Sequence, residues 1–363
     1  MSPQANAGSP AYDNPDGLPA GHPMRQLAAT LGLSEPSASG QAPPNTPPGT
    51  TAFRQSPVAH RIEPTGGDRN TDSLARPYTL PSGGLLYGDH SGQVLISPMR
   101  GEQEEVLAGA GGGLSATPAL RHIVTQCLDT RGIPHDQLAL EDWASCLLHI
   151  LAYSMGADLL PLYPRCPACK AQFDGSRKLS QVPHRTLRRC GPGEAPTWPP
   201  ETSQDEDEDL RILREMGLDG ADATAEQVFC ADALEEPSLV TLSNGQTIGW
   251  RYLRISDFTQ AEEFSQRSND TNSKSPGARL HTFIMSRYIS SLDGRAVGVL
   301  ESMRWVKQAP MSLNRELREH IERRSFGYEL SPTFACTECG YRFREQLPLN
   351  GAMFRNRSGS PVR

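Results

Sequence analysis

Cys166-Pro167-Ala168-Cys169-Lys170-Ala171-Gln172-Phe173 and Cys336-Thr337-Glu338-Cys339-Gly340-Tyr341-Arg342-Phe343 share one pattern, C-x-x-C-x-x-x-F, and stand far apart in the chain. The turn inside a C-x-x-C pair points both sulfurs the same way, so two such knuckles supply the four thiolates of one closed tetrahedral zinc shell. Gripping a single ion, they make everything between them an excursion from a metal-clamped core. A closed shell leaves no position for water, so the expected zinc, on Cys166, Cys169, Cys336 and Cys339, is a structural staple and not a catalyst. A redox pair at Cys166-Cys169 is the competing reading, but Pro164 precedes it and no strand–helix unit frames it. Cys190 and Cys230 stand singly in loops and read as surface or packed thiols. Cys127 and Cys146 fall on apolar helix faces, where cysteine serves as a small buried hydrophobe.

Before the first knuckle, Gln93-Val94-Leu95-Ile96 reads as a strand behind the turn His90-Ser91-Gly92. Glu102 to Leu107 starts a helix with carboxylates in its first turn, where the dipole favours them; the glycines from Gly109 to Gly113 end it. Thr117-Pro118 opens a helix with Leu120, Ile123, Val124 and Cys127 on one face. Leu140, Trp143, Leu147, Ile150 and Leu151 mark another, which stops at Gly156. Before the second knuckle, Asn244-Gly245 turns a hairpin from Val240 to Trp250. A helix is expected near Asp257 to Phe264, a stripe at Leu280, Phe283, Ile284 and Tyr288, and a helix capped by Ser312 or Asn314 and closed by Gly327. Each half thus runs hairpin, helix with a Glu-Glu pair, further helices, Ser-x-Gly (Ser154 to Gly156, Ser325 to Gly327) and knuckle. This order predicts an internal duplication.

The expected architecture is α+β: duplicated hairpin-plus-helices units, 76–185 and 238–350, joined by a split zinc ribbon. Residues 1–75, with Pro43-Pro44-Asn45-Thr46-Pro47-Pro48-Gly49, are too poor in apolar residues to build a core and read as a disordered tail, with a weak helical patch at Met24 to Leu33. Residues 186–237 read as an irregular insert. Its run Asp205-Glu206-Asp207-Glu208-Asp209 is a self-repelling solvated stretch, followed by a short helix at Leu210 to Met216. Residues 351–363 form a C-terminal tail.

The chain has 363 residues and a net charge of −7, which excludes a globally basic nucleic-acid binder. No run approaches the roughly 20 apolar residues of a membrane span. Met1 is followed by polar and small residues and not by a signal peptide, so the expected compartment is a reducing cytoplasm. There is no H-E-x-x-H, no G-x-S-x-G and no Walker loop, so no enzyme is expected. His149, inside an apolar helix, reads as a core or edge histidine. Glu104-Glu105 and Glu262-Glu263 read as first-turn dipole partners, since adjacent helical positions point about 100° apart. Basic residues surround the first knuckle (Arg165, Lys170, Arg177, Lys178, Arg185, Arg188, Arg189) and continue at Arg342, Arg344, Arg355 and Arg357. A ribbon with basic flanks can bind nucleic acid, although the aromatic residues that base stacking needs are sparse.

Leu80-Pro81-Ser82-Gly83-Gly84-Leu85-Leu86-Tyr87, the segment Val94 to Met99 followed by Glu104-Glu105, and the split C-x-x-C pairs together resemble the T4-type bacteriophage baseplate hub and hub-assembly proteins. The resemblance covers roughly residues 77 to 355; the long N-terminal tail and the acidic insert depart from it. It implies a non-enzymatic part of a contractile tail, either built into the hub or assisting its assembly in the host cytoplasm, with virion association in the first case. Its implied partners are other hub or tail proteins, and Leu80 to Tyr87 and the hairpin at Leu242 to Trp250 are candidate docking edges. A zinc-ribbon regulator that binds nucleic acid is the alternative.

Overall fold

In the computed structural model the described residues are 74–345, apart from 110–116, 157–158, 161, 198–225, 232–233, 235, 270–275 and 331. The expectations for the N-terminal tail, for Met24 to Leu33, for the acidic run with Leu210 to Met216, and for residues 351–363 lie outside the described residues.

The chain is mixed α+β, as its alternating patterns suggest. β1 (Arg76–Thr79) and β2 (Gln93–Ile96) pair antiparallel, with Thr79 opposite Gln93. α1 (Gly101–Gly109) and α2 (Thr117–Cys127) follow, and β3 (Leu128–Asp129) returns to the other side of β2. α3 (Leu140–Ser154) is apolar almost all round and is correspondingly buried on most of its surface, including Trp143, Cys146, Leu147 and Leu148. The short β4 (Leu159–Leu160) and β5 (Arg177–Lys178) flank the first knuckle as an antiparallel pair.

The stretch after Pro183, expected to be irregular, is a sheet. β6 (His184–Arg189) pairs parallel with β7 (Glu226–Ala231) over six residues. Charged side chains hide this from a pattern reading: along β6 only Leu187 is buried, so no alternation marks the strand.

In the second half β8 (Ser238–Thr241) and β9 (Thr247–Trp250) form the predicted hairpin, with Gly245 left-handed at φ 85°. α4 (Ile255–Asn269) and α5 (Pro276–Tyr288) follow, and β10 (Ile289–Leu292) returns antiparallel to β9. β11 (Arg295–Ala296) extends that sheet through an Asp293-Gly294 turn that the sequence reading passed over. α6 (Val299–Gln308) was not anticipated; α7 (Met311–Arg323) was, but its start differs. Pro310 precedes α7, and Asn314 does not cap it: its amide donates to the carbonyls of Val306 (3.0 Å) and Ala309 (3.2 Å), closing the end of α6 instead. β12 (Gly327–Tyr328) joins the open side of β6, and β13 (Thr333–Ala335) and β14 (Arg342–Arg344) carry the second knuckle.

Both halves therefore run hairpin, two helices, a third strand on the hairpin's second strand, one or two more helices, a left-handed glycine (Gly156 at φ 73°, Gly327 at φ 85°) and a cysteine turn. One apolar cluster runs through both, from Ile123, Leu147 and Ile150 to Ile248, Trp250 and Leu317. At the junction the chains bond directly: Leu140 N–H donates to the Leu253 carbonyl (2.9 Å) and Ile255 N–H to the Leu138 carbonyl (3.0 Å). Arg121 of α2 meets Glu262 of α4 at 2.9 Å. Glu262 sits in the middle of its helix, so its role is this cross-helix pair and not a first-turn dipole contact.

The Pro81-Ser82-Gly83-Gly84 segment is an internal strut and not an exposed docking edge. Leu80 and Ser82 are buried, and the Pro81 carbonyl accepts from Leu187 N–H of β6 at 2.7 Å. Gly83 is left-handed at φ 61°, and a Cβ there would stand 2.2 Å from the Leu187 carbonyl oxygen, so only glycine allows this approach. Asp142, buried in the first turn of α3, accepts from Ser82 N–H (2.9 Å) and the Tyr87 hydroxyl (2.6 Å). The Tyr87 oxygen in turn accepts from Ala139 N–H (2.8 Å).

Candidate metal centre

The two knuckles are built alike, residue for residue. Cys166 N–H donates to the Ala171 carbonyl and Lys170 N–H to the Cys166 carbonyl, both at 2.9 Å. Cys336 N–H donates to the Tyr341 carbonyl and Gly340 N–H to the Cys336 carbonyl, again at 2.9 Å. The residue after the second cysteine is left-handed in each, Lys170 at φ 63° and Gly340 at φ 70°. This kink reverses the chain after each pair, so that the carbonyls of Ala171 and Tyr341 reach back to the first cysteine's N–H. Lysine accepts it at a cost of about 1–2 kcal/mol, which glycine avoids. An Arg165–Gln172 bridge in the first knuckle matches the Ala335–Arg342 pairing in the second.

The shared phenylalanines hold the knuckles against each other. Phe173 and Phe343 meet edge to face with centroids 6.2 Å apart, and Phe334 lies 6.1 Å from Phe343. Arg177 stacks over Phe334 at 4.7 Å and donates to the Thr333 carbonyl. Arg165 N–H donates to the Glu345 carboxylate at 3.0 Å, tying the chain after the second knuckle to the first.

All four sulfurs lie within 4.8 Å of one another. Across the knuckles Cys166 Sγ is 3.7 Å from Cys339 Sγ, and Cys169 Sγ is 3.6 Å from Cys336 Sγ. A tetrahedron with metal–sulfur bonds of 2.3 Å has edges of about 3.8 Å, so the set fits one four-coordinate ion. Cys166 and Cys336 are buried; Cys169 and Cys339 face solvent. Burial opposes the Cys166 thiolate, but the backbone N–H groups of Cys169 and Ala168 outweigh it and bring that thiol down to about 7. The Ala171 N–H favours the Cys169 thiolate; burial and the neighbouring sulfurs prevail and push this thiol up to about 12. The first proton thus leaves readily and later ones do not, unless a cation compensates the accumulating charge.

The four predicted ligands, 173 residues apart at the extremes, are therefore brought together and could hold a metal ion. No other group of three or more metal-ligating side chains occurs among the described residues. Cys230 is buried, its thiol donating to the Ala195 carbonyl (3.1 Å), and Cys127 and Cys146 lie in the core. His149 bonds the Tyr328 hydroxyl at 2.9 Å and is held down to about 4 by burial and by nearby His184, in keeping with a neutral edge histidine. Sequence reasoning passed over Asp142 and Glu141. Their signal was two carboxylates at the opening of a helix apolar on almost every side. Glu141 Oε2 is buried with no hydrogen-bond partner among the described residues, and burial raises its carboxyl to about 8.

Fold and centre together define a mixed α+β body whose two halves meet at a split four-cysteine cluster. Compared with protein-family models, curated proteins and solved structures, the chain matches none. Among the described residues no helix is long and apolar enough to cross a membrane.

Proposed function

We propose that the four cysteines hold one structural zinc ion, and that the chain is an internally duplicated, non-enzymatic component of a contractile-tail baseplate hub, either built into it or assisting its assembly. The observation that carries this reading is the cluster: four sulfurs from two knuckles of identical hydrogen bonding, spaced for one ion with every coordination position taken by protein. Such a shell favours soft divalent ions and activates no water, which suits a scaffold. The repeated element order supports the duplication, each half supplying one knuckle. The assignment to a phage tail rests on the resemblance carried by Leu80 to Tyr87, Val94 to Met99 and the paired knuckles. In this reading the partners are other hub or tail proteins, met in the host cytoplasm. With Leu80 to Tyr87 internal, and β9 of the Leu242 to Trp250 hairpin paired on both sides, the hairpin's exposed margin is β8 just before it, where Leu239 is exposed.

Two measurements test it. The purified full-length chain should carry one zinc per chain, and cobalt in its place should give the intense visible absorption of a tetrahedral thiolate site. Co-expressed tail-tube or spike proteins should co-purify. A chain with no stoichiometric metal, or with iron–sulfur absorption, overturns the staple; tail proteins that fail to associate overturn the hub reading.

A second reading, a nucleic-acid-binding regulator, draws on the exposed Lys170, Tyr341 and Arg342 around the solvent-facing cysteines. A mobility shift of DNA or RNA that weakens steeply with salt would favour it.

A further inference from the structure

The ligand set of the cluster is sulfur alone, and its number is even. Such a set converts completely to disulfides with no ligand left over, which a set containing histidine does not. Two sulfur–sulfur contacts cross from one knuckle to the other: Cys166 to Cys339 at 3.7 Å and Cys169 to Cys336 at 3.6 Å. Each joins a buried cysteine to a solvent-facing one. Cys169 and Cys339 are thus open to a small oxidant, and each has a second thiol already against it.

The knuckles are also held together by contacts that need no ion. Phe173 meets Phe343 edge to face at 6.2 Å, Arg165 N–H donates to the Glu345 carboxylate at 3.0 Å, and Arg177 donates to the Thr333 carbonyl. These contacts keep the two turns opposed when the sulfurs let go of a cation. The crossing pairs then close from their present contacts to a disulfide bond of about 2.0 Å. They join residues 173 and 167 positions apart, so crossing disulfides preserve the link between the halves. Disulfides inside the knuckles, Cys166–Cys169 and Cys336–Cys339, would sever it.

We propose that Cys169 and Cys339 are peroxide-reactive modification sites, and that oxidation replaces the ion by two crossing disulfides, Cys166–Cys339 and Cys169–Cys336. The halves then stay stapled outside a reducing compartment. This rests on the zinc reading given above. In the first step the solvent-facing thiolate attacks the peroxide: an S–O bond forms, the O–O bond breaks, and hydroxide leaves and takes a proton to become water. The buried partner then attacks the sulfenic sulfur: the S–S bond forms, the S–O bond breaks, and a second hydroxide leaves as water. Each disulfide therefore consumes one peroxide and two protons and yields two waters. With both formed, the thiolate charge is gone and the sulfurs no longer hold a cation.

The test uses the full-length, zinc-loaded chain. Its zinc is measured first, and hydrogen peroxide is then titrated in while a chromogenic chelator reports released zinc. Remaining thiols are alkylated, and the disulfides are mapped by tandem mass spectrometry. The expected result is one zinc released per two peroxides, loss of four thiols, links 166–339 and 169–336, and reversal by a dithiol reductant. C190S, outside the cluster, should leave these stoichiometries unchanged. Absence of zinc before peroxide is added overturns the zinc reading, and this proposal with it. Zinc present at the outset, followed by any other pairing of the four cysteines, links between copies, sulfinic or sulfonic products in place of disulfides, or zinc retained under a large excess of peroxide, overturns this proposal alone.

Discussion

Replacing Cys339 by serine removes one ligand where it does least other harm, because Cys339 is exposed while its neighbour Cys336 is buried. The effect on stability then reports the cross-link rather than lost packing. An ion held by both knuckles closes a loop between residues 173 apart. In the chain-entropy treatment of cross-links, a loop of that length takes about 5 kcal/mol of freedom from the unfolded state. That is comparable to the whole stability of many domains, about 5–15 kcal/mol. The expected loss for C339S is therefore about 3–5 kcal/mol, the lower figure allowing for residual binding by three thiolates. A strong chelator should impose a similar loss on the wild-type chain and almost none on C339S, since the two perturbations remove the same link. The assay is urea unfolding followed by tryptophan fluorescence and circular dichroism, with and without chelator, and with C190S as a control outside the cluster expected to change by less than about 0.5 kcal/mol. The reasoning is refuted if C339S and C190S behave alike, or if chelator destabilises C339S as much as wild type.

Gly83→Ala should destabilise by about 3 kcal/mol or more, measured by the same unfolding assay, because its Cβ would meet the Leu187 carbonyl at 2.2 Å in a left-handed backbone; a loss under 1 kcal/mol would contradict the strut between the Ser82 segment and β6. Asp142→Ala leaves the Tyr87 hydroxyl and Ser82 N–H buried without their acceptor and should cost about 2–5 kcal/mol; Asp142→Asn should cost less, and equal losses for the two would count against the network. Glu141 supplies the pH dependence. Burial raises its folded carboxyl to about 8 from an ordinary value of 4.5, so the folded state holds a proton that the unfolded state has released, and stability falls as pH rises from 4.5 to 8. Glu141→Gln should flatten that slope, its advantage over wild type growing from pH 4.5 to 8 toward roughly 4 kcal/mol less the cost of burying the amide; parallel pH profiles for variant and wild type would show that Glu141 is not the group responsible.

How much was legible depended on whether a residue's role was local. The knuckles were legible because C-x-x-C geometry is set within four residues, and Asn244-Gly245 because a two-residue turn needs left-handed backbone. The stripes of α2, α3 and α5 showed because each buries one face or nearly all of itself. β6 and β7 did not show: their backbones pair with distant partners while arginines, glutamate and glutamine cover the surface, so no side-chain pattern records the sheet. Asn314 looked like a cap for the helix it opens and serves the helix before it, a role set by how α6 and α7 meet. Glu262 was assigned to a helix end because its partner, Arg121, lies 141 residues away.

By itself the sequence determined the mixed α+β class, the two sulfur turns, the Asn244-Gly245 hairpin and the helices with an apolar face such as α2, α3 and α5, since these follow from short-range sterics, turn chemistry and the period of apolar residues. Tertiary structure alone decided that the four sulfurs of the two turns come within 4.8 Å of one another, that Leu80 and Ser82 are buried, and that Glu141 and Asp142 sit away from water. Those outcomes depend on distances between residues far apart in the chain, and on the loss of water around them, which no local pattern encodes.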